Sequence, residues 1–124
     1  MRAWRVHRLG DPSATTLDEV PTPIPGDGQL LVRVRSAALN FPDVLMAMGT
    51  YQERPPLPFI PGIELCGEVE GTGQRVLGAP SGGTGAFAEQ VLMDADRAWP
   101  VPDGMPDEKA ASLYLTYQTG HVGL

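Results

Sequence analysis

The chain has 124 residues, of which 42% are hydrophobic and 19% charged, and it carries a formal net charge of −6. That length suits one domain with a core of its own, the apolar fraction excludes an extended disordered chain, and the acidic balance leaves no electrostatic footprint for nucleic acid. A single cysteine excludes a disulfide framework and a thiolate zinc cluster. No apolar run approaches the roughly 20 residues that a membrane-spanning helix needs, and MRAWRVHRLG lacks the apolar segment of a secretory signal. A cytoplasmic location with no membrane or nucleic-acid partner is therefore expected.

Gly (15) and Pro (13) fall as punctuation between apolar runs, a pattern of many short strands joined by turns. Ala3 to Leu9 reads as a first strand, closed by Gly10, Asp11 and Pro12, and Thr15 to Val20 as its partner. Its basic residues Arg2, Arg5, His7 and Arg8 belong to a solvated strand face. Three prolines and two glycines make Pro21 to Gly28 a loop. Gln29 to Ala37 alternates, with Leu30, Val32 and Val34 on one face and Leu31, Arg33 and Arg35 on the other, which predicts a half-buried strand.

Asn40 is a good helix N-cap, Pro42 and Asp43 suit the first turn, and Gly49 suits the position after the last. A short helix is expected between them. Four prolines stiffen Gln52 to Pro61. Ile63 to Glu70 predicts a strand in which Gly67 marks a bulge or a close backbone approach. Arg75 to Leu77 and Ala86 to Met93 predict two more strands around a glycine loop, and Cys66 reads as a small buried hydrophobe. Pro100 to Gly104 is a connector, Pro106 opens a helix, and a second helical stretch is expected from about Thr116. Gly83, Gly85 and Ala88 spell G-x-G-x-x-A, but a pyrophosphate site needs that turn between a strand and a helix. Here a strand-like run follows, so these residues are read as a hairpin loop.

Four segments carry a family likeness: LNFPDVLMAMGTY (Leu39 to Tyr51), PLPFIPGIELCGEVEGTG (Pro56 to Gly73), GAFAEQVLM (Gly85 to Met93) and PDGMPDEKAASL (Pro102 to Leu113). In their order and spacing the chain resembles the N-terminal GroES-like catalytic domain of medium-chain dehydrogenases/reductases, nearest the zinc-independent quinone oxidoreductase branch. The resemblance implies a mainly β fold, a GroES-like partly open β-barrel over residues 1–124 with a short inserted helix. It also implies C-terminal helices that, from about residue 115, lead toward a Rossmann domain carrying most of the cofactor site.

The zinc-dependent branch has a cysteine where Asn40 stands, a histidine where Ile63 stands and a cysteine where Leu115 stands, besides a lobe of four close-set cysteines. One amide and two hydrocarbons cannot hold Zn²⁺, so no metal site is expected. Without a metal, hydride from a nicotinamide must reach an already electron-poor acceptor, which suits quinones and α,β-unsaturated carbonyls.

The resemblance thus implies an NADPH-dependent quinone or enone reductase, homodimeric as a full-length protein, with the 124 residues inactive alone. The rival readings are a free-standing GroES-like binding module of the co-chaperonin type and, more distantly, a zinc-dependent alcohol dehydrogenase. For Asn40, a helix cap and a contact to the nicotinamide ribose, its carboxamide or the substrate oxygen are all open. Tyr51 could offer its phenol to a substrate carbonyl or donate a proton beside an enolate. Thr119 and Thr116 lie where the family's chain passes under the nicotinamide. Asp43 is expected to serve the helix dipole or an ion pair, and Glu64 a supporting hydrogen bond. Leu45 replaces a second tyrosine carried by some quinone reductases, which puts the substrate in question.

Overall fold

The computed structural model describes residues 1–113. Strands β1 (Arg2–Val6) and β2 (Thr15–Glu19) form an antiparallel hairpin in which Trp4 faces Leu17 and Val6 faces Thr15. The remaining strands are β3 (Gln29–Ala37), β4 (Leu65–Val69), β5 (Arg75–Gly78), β6 (Gln90–Asp94) and β7 (Ala98–Pro100). They form one antiparallel sheet in the order β6-β3-β4-β5-β7. Helix α1 (Phe41–Met48) is inserted between β3 and β4, and residues 107–113 are helical.

The alternation expected in β3 is real: Val32 is fully buried while Arg33 and Arg35 face solvent. Val32 belongs to a core with Leu65, Val69, Val76, Ala86, Val91 and Met93. Burying side chains of this size contributes about 1.5–3 kcal/mol each. A second cluster (Val6, Met46, Ala47, Phe59) seats α1 on the first hairpin. A third lies on the opposite face of the sheet, where Cys66 and Leu77 meet Ala110 and Ala111 of the C-terminal helix. Leu65 and Val69 face one cluster and Cys66 another, the period-two pleat at work.

Gly67 marks a close approach, since a Cβ there would lie 2.4 Å from the Arg33 carbonyl oxygen and 2.6 Å from Val32 Cγ1. The bulge sits opposite, in β3, where the register slips between Val34 and Ser36. β1 stops at Val6 rather than Leu9. The strand expected over Ala86 to Met93 starts only at Gln90, because the residues before it serve other partners. The Trp4 N–H donates to the Phe87 carbonyl (2.9 Å) and the Glu89 N–H to that of Arg2 (3.0 Å). Ala86 to Glu89 thus crosses from one sheet to the other. β7 is not anticipated by the sequence reading, and only its last residue, Pro100, falls in the expected connector. It is three residues long, too short for a period to show, and its Pro100 is tolerated because β7 is an edge strand.

Arg75 Nη2 on β5 donates to Asp107 Oδ1 (2.7 Å) and to the Met105 carbonyl (2.7 Å), and Arg35 Nε on β3 reaches Asp107 Oδ2 at 3.4 Å. These bonds fasten the start of the C-terminal helix to the sheet.

Candidate active site

The site is built where β3 hands over to α1. Asn40 keeps extended backbone angles (φ −121°, ψ 161°) and caps the helix, with Pro42 in the first turn. Asn40 and Asp43 form a capping box in which Asp43 Oδ2 accepts the Asn40 N–H at 2.8 Å. The Asp43 N–H donates to the Asn40 main-chain carbonyl at 3.0 Å. At the other end Gly49 takes φ +77°, and its N–H and that of Thr50 reach back to Met46 and Leu45 carbonyls. A left-handed residue there favours glycine.

Asp43 is 3% exposed, and its second oxygen accepts the Gly62 N–H at 3.1 Å. Burial pushes its carboxyl pKa up, opposed by the Asn40 and Gly62 N–H bonds and reinforced by the charge of Glu64. Gly62 is the residue that sequence reasoning missed. It has φ +103°, and a Cβ would lie 2.8 Å from Ala86 Cβ, Phe87 Cδ1 and Phe87 N. Its carbonyl accepts from Gly85 (3.0 Å) and Ala86 (3.2 Å). The signal available was the Pro61-Gly62 turn pair itself.

Glu64 is 1% exposed. Its Oε1 accepts from Asn40 Nδ2 at 2.9 Å, and the same nitrogen lies 3.5 Å from the Ala38 carbonyl oxygen. The expected helix cap at Asn40 and supporting hydrogen bond at Glu64 are thus both present, and they are one network. Asp43 serves the helix start as expected, and ties it to the Gly62 turn as well.

Tyr51 is placed apart from that network. It follows Gly49, so α1, about 12 Å long for its eight residues, separates it from Asn40. Its ring packs against the cluster of Val6, Met46, Ala47 and Phe59. Thr116 and Thr119 lie outside the described residues, as do Leu115 and His121. Beside α1 an apolar cavity of about 380 Å³ is walled by Trp4, Val6, Leu39, Val44 and Phe87, with Asp43 in its lining.

The donor set does not suit zinc. The Asn40 amide is neutral and already engaged by Glu64, Ile63 offers only hydrocarbon and packs on the second cluster, and Cys66 points to Asp107 Oδ1 at 3.6 Å. Burial and the Asp107 charge push the Cys66 thiol up to about 11, so it stays protonated where a metal would need thiolate. Among the described residues no three His, Cys, Asp or Glu side chains are grouped to hold a metal ion, and no helix is long and apolar enough to cross a membrane.

Solved structures overlay the chain closely. The quinone oxidoreductase of Thermus thermophilus, solved also in complex with NADPH, has a TM-score of 0.91 at 36% identity, covering 100% of this chain and 40% of its own. The human synaptic vesicle membrane protein VAT-1 homolog-like protein gives 0.94 at 30%, covering 100% and 42%. In sequence, a quinone oxidoreductase-like protein 2 homolog of Nematostella vectensis is 36% identical over 99% of the chain and 36% of its own length. The quinone oxidoreductase of Lama guanicoe is 31% identical over 100% and 40%. The chain therefore spans about two fifths of the relatives it matches. Residues 26–103 match the alcohol dehydrogenase GroES-like domain, the mainly β fold is that of these neighbours, and the chain belongs to that domain family, within the medium-chain dehydrogenase/reductase superfamily.

Proposed function

We propose that this chain forms the catalytic domain of an NADPH-dependent, zinc-independent oxidoreductase that reduces quinones or α,β-unsaturated carbonyls by hydride transfer. The observation that carries the reading is the bond from Asn40 Nδ2 to Glu64 Oε1. Where the zinc-dependent branch sets its first metal ligand, this chain has a neutral amide held by a buried carboxylate, and Ile63 stands at the second ligand position. A substrate oxygen cannot be polarised by a Lewis acid at such a place. The acceptor must therefore already be electron-poor, and conjugated carbonyls are.

The reduction balances as hydride plus one proton. A bound nicotinamide would supply the hydride, and the balancing proton would have to come from this chain's residues or solvent, delivered to the acceptor's oxygen or to the adjacent carbon. Tyr51 is the proposed proton donor, and Asn40 with Thr119 and Thr116 the residues contributed toward the nicotinamide. A following nucleotide-binding domain would hold the rest of the cofactor, and the complete protein would act as a cytoplasmic homodimer. The NADPH complex of the Thermus relative and the apolar cavity beside α1 support the cofactor and an apolar acceptor respectively.

The test is NADPH oxidation by the complete polypeptide with 1,4-benzoquinone and with a simple enone, before and after exhaustive chelation, together with metal analysis. Turnover that survives chelation is expected. Stoichiometric zinc, or activity lost with the chelator and restored by Zn²⁺, would overturn the proposal.

A further inference from the structure

The Asn40 amide has one nitrogen, which can only donate, and one oxygen, which can only accept. Both neighbours of that nitrogen, Glu64 Oε1 at 2.9 Å and the Ala38 carbonyl at 3.5 Å, are acceptors. A main-chain carbonyl cannot donate, so the amide is not free to turn its oxygen toward them. What Asn40 presents elsewhere is its carbonyl oxygen. That oxygen has two lone pairs, so even its place in the capping box leaves one for a ligand.

We infer that Glu64 is a positioning residue that makes Asn40 a hydrogen-bond acceptor toward the ligand. Asn40 then takes a donor group of a nicotinamide nucleotide, a ribose hydroxyl or the carboxamide NH₂, and does not polarise the acceptor's carbonyl. The electrophilic role falls to a hydroxyl, for which Tyr51 at the other end of α1 is available. Glu64 reaches Asn40 across 24 positions of sequence from a site that is 1% exposed. A buried carboxylate is tolerated only when it is hydrogen-bonded, and one of the bonds of Glu64 fixes the polarity of the neighbouring amide. This inference rests on the proposed function for the identity of the ligand, but the orientation of Asn40 does not.

Two measurements separate the two claims. The first follows the Asn40 side-chain amide resonances by NMR in the ¹⁵N-labelled chain. They should shift in Glu64→Leu and stay near their native positions in Glu64→Gln, whose carbonyl can still accept. The second is NADPH titration of the complete polypeptide. Dissociation constants should rise about tenfold or more in Glu64→Leu, the usual scale for losing one well-placed hydrogen bond, and by less than about threefold in Glu64→Gln.

A polarity swap guards against a variant that fails to fold. Asn40→Asp sets two carboxylates face to face and should lose nucleotide binding. Combined with Glu64→Gln it regains a donor–acceptor pair and still offers an acceptor outward, so binding should return. Unmoved Asn40 resonances in Glu64→Leu, unaltered NADPH binding there, or a double variant no better than Asn40→Asp would each overturn the inference. A wild-type protein that binds no nicotinamide nucleotide would instead sink the functional reading, with the Asn40 resonances still reporting the Glu64 contact.

Discussion

Asp43 and Gly62 are 19 positions apart, and one hydrogen bond of 3.1 Å joins the carboxylate of the first to the N–H of the second. With the 2.8 Å bond from the Asn40 N–H, it makes Asp43 the pin between the start of α1 and the turn that leads into β4.

Asp43→Asn should therefore destabilise the fold even though it removes a buried charge. Both oxygens of Asp43 face N–H donors, and an amide must turn its own NH₂ against one of them. A loss of about 2–4 kcal/mol is expected from urea unfolding. The pH dependence has a definite sign. Burial raises the folded-state pKa of Asp43, so the folded state binds the proton more tightly than the unfolded one. Stability from this group is greatest below the unfolded value of 3.8 and falls as pH rises through the raised folded value. The variant should lack that decline.

Gly62→Ala and Gly67→Ala fail for different reasons. At Gly62 the backbone is left-handed (φ +103°) and the added methyl meets Phe87 and Ala86 at 2.8 Å. At Gly67 only space is lacking, the nearest atom being a main-chain oxygen at 2.4 Å. Each should cost about 3 kcal/mol or more. Gly71, which has φ +91° but open space around its position, isolates the backbone strain from the clash and should cost less than Gly62. Thermal unfolding of the three variants checks this.

The β1–β2 hairpin carries an acid-sensitive contact. Asp18 accepts from Thr16 (2.8 Å) and Arg5 (2.8 Å) and lies 2.6 Å from His7 Nε2. The His7 bond, then those of Thr16 and Arg5, bring its pKa down to about 2. The stabilisation is present above the unfolded value of 3.8 and is lost as pH falls toward about 2. Asp18→Asn should flatten the stability profile in that window, as followed by circular dichroism.

Cys66 should be inert. It is fully buried, and its thiol is pushed up to about 11. At pH 8 native protein should react with iodoacetamide at least about 100-fold more slowly than urea-unfolded protein. Equal rates would mean that the helix over residues 107–113 does not cover it.

Much of the fold was legible because its signals are local. The alternation of β3, the Asn40, Pro42 and Gly49 punctuation of α1, and a glycine set inside the apolar run of β4 are each carried by residues within a few positions of one another, although the atoms that crowd Gly67 come from β3. β7 was hidden because three residues show no period, and the crossing at Ala86 to Glu89 because an apolar run does not state which sheet it joins.

The same division runs through the candidate site. From the residue types alone it follows that an amide at position 40 and a hydrocarbon at 63 are poor company for a metal ion, since ligand chemistry is a property of the side chain. Only the folded chain brings Glu64 against Asn40 and Gly62 against Asp43. Those partners are distant in sequence, and the orientation of an amide depends on which atoms burial leaves beside it.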